Sequence, residues 1–134
     1  IILTKKMSSI FNFNISIVIP TRNEQEYIGT CINSIRNSSN IDQILEIIVV
    51  DGDSTDKTRA IVQNLASQFP AIKLMQNPNR TVPYGMNIGI KESKGDFILR
   101  LDAHTEYPHD YIQNCISAVD ETGFTSTFLG FLRI

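Results

Sequence analysis

The chain has 134 residues, of which 42% are hydrophobic and 19% charged, and its formal net charge is −2. These numbers indicate one globular domain and exclude a disordered chain. The slightly acidic balance argues against a nucleic-acid partner, and no apolar run reaches the ~20 residues of a membrane-spanning helix. The cysteines Cys31 and Cys115 lack metal-ligand spacing, and the N-terminus lacks the features of a signal peptide, so we expect a reducing, cytoplasmic location.

The first half of the sequence predicts two strand-helix units. Residues 15–20, ISIVIP, form a short apolar run rich in β-branched side chains, which is typical of a buried strand. Residues 24–37 follow with apolar side chains at helical spacing. Residues 44–51, ILEIIVVD, predict a second buried strand, after which Ser54 and Thr55 are positioned to cap a second helix.

The second half of the sequence repeats the same alternation. Residues 71–76 predict a third strand, and residues 82–95 a looser helix closed by Gly95. Residues 96–103, DFILRLDA, predict a fourth strand, and residues 108–123 a fourth helix. Because strands that alternate with helices and are apolar on both faces form parallel sheets, the fold class is α/β, a Rossmann-like parallel sheet with helices on both faces.

Polar clusters follow three of the predicted strands. PTRNE follows the first strand, DGDSTD the second and DAH the fourth. The carboxyl ends of parallel strands meet at one edge, which is where open α/β sheets bind ligands. Neither a GxGxxG nor a GxxxxGK[ST] loop is present, which disfavours a dinucleotide-binding domain and a P-loop enzyme. Acids at strand ends can instead read a base or ribose and hold a divalent cation, which favours a nucleoside diphosphate bound together with its metal.

The DAH cluster predicts the metal ligands. Since side chains alternate along an extended strand, Asp102 and His104 can point to the same side while Ala103 turns away. A carboxylate oxygen with a neutral imidazole nitrogen favours Mn²⁺ over Mg²⁺. Phosphate oxygens of the ligand would complete the coordination. Arg100, inside the same strand, is expected to pair with a neighbouring acid.

Three segments carry a resemblance to a known family. ISIVIPTRNEQEYI, IIVVDGDSTDKT and KGDFILRLDAHTEYP resemble the motifs of family 2 glycosyltransferases of the GT-A fold. The stretch NPNRTVPYGMNIGIKESKGDFILRLDAH is similar to bacterial exopolysaccharide transferases of the succinoglycan type. The resemblance implies the nucleotide-binding half of a GT-A fold. It also implies transfer of a sugar from a nucleotide-diphosphate donor, UDP-sugar in particular, to a polysaccharide or lipid-linked acceptor.

The resemblance also implies roles for individual residues. Asp51 matches the acid that reads the base, and Asp102 and His104 match the two metal ligands of a DxD motif, here DxH. The implied nucleotide-sugar-binding residues are Pro20, Thr21, Glu24, Asp51, Asp53, Arg80, Asn87, Asp102 and Ala103.

The resemblance leaves part of a transferase without a counterpart. The family's catalytic base is an acid further along the chain, so no catalytic residue is assigned and the base is expected beyond Ile134. We interpret residues 1–14 as an N-terminal extension, 15–123 as the nucleotide-sugar-binding region, and 124–134 as an unplaced apolar tail where the sequence is truncated. Membrane association through missing regions, at the cytoplasmic face, is compatible with this interpretation.

Two other functions fit parts of the sequence. IIVVDGDST matches hhhhDxDxT, the motif in which haloacid-dehalogenase-type phosphatases use the first Asp, here Asp51, as nucleophile and the second, here Asp53, as general acid. That motif normally lies on the first strand of its sheet, whereas a full strand-helix unit precedes it here, so we rank this function lower. The second alternative is a non-catalytic fragment that binds a nucleotide sugar without transferring it.

Overall fold

The computed structural model describes residues 14–122 and 131–133. Strands and helices alternate along the chain up to the fourth helix. The elements are β1 (Ile15–Thr21), α1 (Ile28–Arg36), β2 (Ile44–Asp51), α2 (Thr58–Gln68), β3 (Ile72–Gln76), α3 (Val82–Glu92), β4 (Phe97–Arg100), α4 (Tyr111–Thr122) and β5 (Phe131–Arg133), with a 3-10 turn at Ile41–Gln43.

The strands form one sheet in the order β3-β2-β1-β4-β5. The pairs β1–β2, β1–β4 and β2–β3 are all parallel, which confirms the predicted parallel sheet. The edge strand β5 was not predicted, because residues 124–134 show no clear periodicity. It pairs antiparallel with β4, with Leu99 opposite Phe131. Residues 124–130 lie outside the described part of the chain.

Helices cover both faces of the sheet, as predicted. Alternate side chains of β1 enter two different clusters: Ile17 and Ile19 lie in the larger core with α1, α2 and α4, whereas Val18 packs on the other face. Met86 and Ile90 of α3 pack against the cluster around Val18. This alternation follows from the period of two along a strand and explains why β1, in the centre of the sheet, has apolar side chains on both faces.

Helix α3 lies unusually close to β1 at Gly89. A Cβ atom on Gly89 would overlap the Val18 side chain. Only glycine therefore allows the helix to reach the sheet here. The close approach holds α3 against the central strand of the sheet.

Two predicted helix boundaries are wrong. Helix α2 begins at Thr58 without a cap from Ser54 or Thr55. The Asp56 carboxylate instead accepts hydrogen bonds from the backbone N–H (2.9 Å) and hydroxyl (2.6 Å) of Thr58. Burial would raise the pKa of Asp56, but these hydrogen bonds outweigh it and hold the pKa below the usual value. Helix α3 ends at Glu92, before the predicted stop.

The glycine that was expected to end α3, Gly95, has another role. Its backbone N–H donates to the Ser16 hydroxyl at 2.8 Å, and a Cβ here would lie 2.7 Å from the Ser16 nitrogen. The loop between α3 and β4 can therefore press against the start of β1. Within residues 14–122 and 131–133, no helix is both long and apolar enough to cross a membrane.

Candidate functional site

A cleft of about 280 Å³ opens at the carboxyl edge of the parallel strands. It lies where three polar clusters were predicted to meet. Its lining includes six of the residues assigned to the ligand or metal from sequence: Pro20, Thr21, Glu24, Arg80, Asp102 and His104. Loops after β1, β3 and β4 therefore contribute to a single site.

Four other predicted residues are not among those that line the cleft. Asp51 is fully buried, and Ala103 is 3% exposed and lies in the core. The predicted strand 96–103 is too long, because β4 ends at Arg100 and residues 103–104 form a turn, so strand alternation does not explain how Asp102 and His104 are oriented. Asn87 is exposed on α3, away from the cleft lining. The Asp53 side chain is 44% exposed and bonded to Arg80. The binding roles assigned to these four residues stay predictions.

The Asp51 carboxylate is engaged within the protein. Its two oxygens accept hydrogen bonds from the backbone N–H of Ser54 at 3.0 Å and from the Ser54 hydroxyl at 2.5 Å. The Nε atom of Arg59 lies 3.8 Å from the same carboxylate. Asp51 therefore holds the turn after β2, and the neighbouring Val50 and Gly52 line the cleft in its place.

The loops after β1 and β2 are bound to each other by polar side chains. The backbone N–H of Asn23 donates to the Ser54 hydroxyl at 2.9 Å, and the Asn23 amide oxygen accepts from the backbone N–H of Thr55 at 2.8 Å. The backbone N–H of Glu24 donates to the Thr58 hydroxyl at 2.9 Å. Much of the DGDSTD cluster thus serves to fix the first loop, and this bonding places Glu24 at the cleft.

The two proposed metal ligands face the cleft with largely exposed side chains. Asp102 is 58% exposed, and its Oδ1 lies 3.9 Å from Nη2 of Arg100. Arg100 was expected from the sequence to pair with a neighbouring acid, and Asp102 is that acid. His104 is 62% exposed, and its Nδ1 lies 3.7 Å from Oε1 of Glu24. Both side chains line one cleft, and they carry an oxygen and a nitrogen donor, the kinds of group that can ligate a divalent cation.

The donor set for that cation is incomplete within the protein. No group of three or more His, Cys, Asp or Glu residues that could hold a metal is found in the part of the chain that the structure describes. A cation on Asp102 and His104 alone would keep several open positions. Phosphate oxygens and water would have to fill them, which fits a cation that binds together with a diphosphate.

Arg80 and Asp53 form a bridge between the loops after β3 and β2. The Nε and Nη2 atoms of Arg80 both donate to Oδ2 of Asp53, at 3.0 and 2.7 Å. Both residues have positive φ angles, 72° for Arg80 and 60° for Asp53. Such conformations are costly for residues other than glycine and occur often at binding sites. The guanidinium group of Arg80 is held at the cleft by this bridge.

Sequence reasoning missed several residues of the cleft. Arg22 and Thr81 line it without having been assigned a role. Asn77 also lines it, and its amide nitrogen donates to the carbonyl oxygen of Thr81 at 2.9 Å. Its buried Oδ1 atom has no hydrogen-bond partner within the described structure. Asn77 follows a strand that ends in no acidic cluster, so the sequence offered no signal for it.

Comparison with known proteins supports the family resemblance that the sequence motifs showed. The model of the family Glycosyl transferase family 2 matches residues 16–134. A dolichyl N-acetyl-alpha-D-glucosaminyl phosphate 3-beta-D-2,3-diacetamido-2,3-dideoxy-beta-D-glucuronosyltransferase of Methanococcus voltae is 38% identical over 104 residues, which cover 76% of this chain and 32% of that protein. The succinoglycan biosynthesis protein ExoA of Rhizobium meliloti is 34% identical over 120 residues, 88% of this chain and 36% of that protein.

Solved structures show the same likeness. The mannosyltransferase PcManGT from Pyrobaculum calidifontis, in complex with GDP-Man and Mn²⁺, superposes with a TM-score of 0.70 at 26% identity, covering 81% of this chain and 32% of that one. The chain spans about one third of the length of these relatives.

These findings bear on the phosphatase alternative, and the alternative of a non-catalytic nucleotide-sugar-binding fragment stays open. None of them supports the phosphatase alternative, and the buried, hydrogen-bonded Asp51 is poorly placed for nucleophilic attack. The predicted GT-A fold and the resemblance to succinoglycan-type transferases are confirmed. The chain belongs to the family 2 glycosyltransferases.

Proposed function

We propose that the cleft binds a nucleotide-diphosphate sugar together with a divalent cation, and that residues 15–123 form the donor-binding region of a glycosyltransferase. The observation that carries this proposal is the position of Asp102 and His104. Both side chains face the cleft at the carboxyl edge of the sheet, together with Arg80. This arrangement offers two ligands for a cation and a positive charge for a diphosphate.

The charges around the cleft suit a diphosphate. Three arginines line it, Arg22, Arg80 and Arg100, against the two acids Glu24 and Asp102. A diphosphate would bring further negative charge next to Asp102, and a cation between them would offset that repulsion. The arginines can then donate to phosphate oxygens that the cation leaves free, with Arg80 already oriented by its bridge to Asp53.

The donor set favours Mn²⁺ over Mg²⁺ as the cation. A carboxylate oxygen of Asp102 and an imidazole nitrogen of His104 match the preference of Mn²⁺ better than the all-oxygen preference of Mg²⁺. The Pyrobaculum calidifontis transferase was solved with Mn²⁺, which is consistent with this choice. When bound, the cation would stabilise negative charge on the departing diphosphate as a Lewis acid.

We propose a UDP-sugar as donor, on the resemblance of the sequence motifs. Because one structural neighbour was solved with GDP-Man and others with UDP or UDP-GlcNAc, the nucleotide base is the part of this proposal that most needs a direct test. A polysaccharide or lipid-linked acceptor fits the names of the relatives, one a succinoglycan biosynthesis protein and the other a transferase to a dolichyl-linked sugar phosphate. We propose that the reaction takes place at the cytoplasmic face of a membrane.

The catalytic base is proposed to lie beyond Ile134. Among the described residues that line the cleft, the only carboxylates are Glu24 and Asp102. Asp102 is assigned to the cation, and Glu24 lies against His104. With neither free to activate an acceptor hydroxyl, we expect the 134-residue chain to bind donor and to transfer sugar poorly.

Calorimetric titration of UDP and of GDP, each in the presence of Mn²⁺, tests the proposal. We expect UDP to bind and GDP to bind more weakly. The absence of binding by either nucleotide at millimolar concentration would contradict the donor site. Tighter binding of GDP would instead contradict only the choice of base. Transfer to an acceptor at an ordinary enzymatic rate, roughly 1 s⁻¹ or faster, would overturn the assignment of the base to residues beyond Ile134.

A further inference from the structure

The backbone of Asp102 is held by a tyrosine that no sequence motif singled out. The backbone N–H of Asp102 donates to the Tyr107 hydroxyl oxygen at 2.8 Å. The same hydroxyl donates to the carbonyl oxygen of Asp102 at 3.4 Å. One phenol group can accept and donate at once, so it satisfies both backbone groups of this residue.

The contact lies two residues beyond the end of β4. Leu101 extends the parallel ladder, since its backbone N–H donates to the carbonyl oxygen of Val18 at 3.1 Å. Backbone groups of successive residues point to opposite sides of a strand, so those of Asp102 face away from β1. On that side, the pairs formed by the described residues of β5 reach Leu99, opposite Phe131. Within the described part of the chain, the Tyr107 hydroxyl supplies the hydrogen-bond partner that these backbone groups need.

A thiol from α1 reaches the same carbonyl group. The Sγ atom of Cys31 donates to the Asp102 oxygen at 3.3 Å.

Tyr107 is in turn fixed to α1. Its backbone N–H donates to the Ser34 hydroxyl at 2.9 Å, and that hydroxyl donates to the carbonyl oxygen of Cys31 at 2.7 Å. Tyr107 is 8% exposed and Cys31 fully buried. Both groups that hold Asp102 are therefore anchored in the core beneath the cleft.

The Asp102 side chain has little else to orient it. Its carboxylate is 58% exposed, and its nearest cationic contact is Nη2 of Arg100 at 3.9 Å, beyond hydrogen-bonding distance. The direction of the carboxylate is consequently set by its backbone. When the residues that orient a liganding side chain are removed, the site binds its metal or diphosphate more weakly.

We propose that Tyr107 and Cys31 are positioning residues, which aim the Asp102 carboxylate at the cation and diphosphate in the cleft. This inference rests on the proposed function, because Asp102 must bind a ligand for its orientation to matter. Neither residue lines the cleft itself. Their effect therefore reaches the ligand through Asp102.

The test compares Tyr107→Phe with Tyr111→Phe. The two rings are neighbours, with centroids 4.9 Å apart, so each substitution removes one hydroxyl from the same aromatic pair. The readout is the factor by which Mn²⁺ strengthens UDP binding, measured by calorimetry with and without the cation. We expect that factor to fall roughly threefold to tenfold in Tyr107→Phe, in line with the loss of one or two hydrogen bonds, and to stay unchanged in Tyr111→Phe.

A purely structural role of Tyr107 would lower UDP affinity with and without Mn²⁺ alike, and this parallel loss would overturn the inference. An unchanged factor in Tyr107→Phe would do the same. If Tyr107→Phe fails to fold, the same measurement is made on Cys31→Ala. We expect a smaller decrease in the factor by which Mn²⁺ strengthens UDP binding to this variant. An unchanged factor would contradict the proposal. If Mn²⁺ has no effect on UDP binding to the unaltered chain, the proposed cation site fails, and this inference fails with it.

Discussion

The carboxylate of Asp51 and the side chain of Ser54 form a closed unit at the end of β2, in which both carboxylate oxygens accept hydrogen bonds from the one serine. Asp51 is fully buried. The acid that the sequence assigned to base recognition is thus satisfied without a ligand, and we infer that it supports the cleft by fixing the turn that leads to Gly52.

Replacement of Asp51 by Asn should therefore destabilise the protein. Loss of charge-assisted hydrogen bonds in a buried site should lower the free energy of unfolding by about 1.5–3 kcal/mol. The matched control is Asp53→Asn, which removes a charge from a half-exposed pair with Arg80 and should cost under about 1 kcal/mol. Urea denaturation measures both values. Equal stability of the two variants would contradict the structural role of Asp51.

The sequence predicted the sheet and its ligand edge well, because β1 and β2 are apolar on both faces and each ends in a polar cluster. It mispredicted Ser54, because a serine hydroxyl can cap a helix or bond to another loop, and only the folded chain decides between the two. Tyr107 and Cys31 escaped notice for a similar reason. A thiol that contacts Asp102 across 71 residues leaves no local pattern.

Two substitutions of Arg80 separate its charge from its backbone conformation. Arg80→Ala and Arg80→Gly both remove the guanidinium group, so we expect UDP affinity to fall roughly tenfold in each. Because φ is 72° here, the glycine variant should be more stable than the alanine variant by about 0.5–1 kcal/mol, the left-handed strain less the entropy cost of glycine. Calorimetry measures the UDP affinity of each variant, and thermal unfolding measures the difference in stability between them. Wild-type UDP affinity in both variants would remove Arg80 from the site.

Packing of α3 on β1 can be tested with alanine at two glycines. Gly89→Ala would force its Cβ into Val18 and should destabilise the protein by about 1–3 kcal/mol. Gly29→Ala, in α1, would place its Cβ 3.8 Å from Ile61, an ordinary contact, and should be neutral or stabilising by up to about 1 kcal/mol. Chemical denaturation measures the free energy of unfolding of the two variants. Tolerance of alanine at Gly89 would show that α3 is not held close to the sheet.

The carboxylate of Glu46 should make the free energy of unfolding depend on pH. Burial acts to raise its pKa, but bonds from Lys73 (2.8 Å), the Ser16 hydroxyl (2.6 Å) and the backbone N–H of Lys94 (2.6 Å) prevail and lower it. A lowered carboxyl pKa adds stability above the unfolded value of about 4.3, and this stability is lost as pH falls through the lower folded value.

The variant Glu46→Gln should therefore be less stable than the wild type by about 1.5–3 kcal/mol at neutral pH. The difference should shrink as the pH falls well below that ordinary carboxyl range, because the wild-type side chain is then also neutral. Urea denaturation at neutral and acidic pH measures both quantities. A difference independent of pH would show that packing, and not the ionised carboxylate, stabilises this site.

The most direct test of the account is titration of UDP with and without Mn²⁺ into the wild type, His104→Ala and the control His109→Ala. His109 is exposed and does not line the cleft. If Asp102 and His104 share the cation, Mn²⁺ should strengthen UDP binding to the wild type and to His109→Ala, and do so much less for His104→Ala. Equal strengthening in all three proteins would contradict the assignment of His104 as a metal ligand.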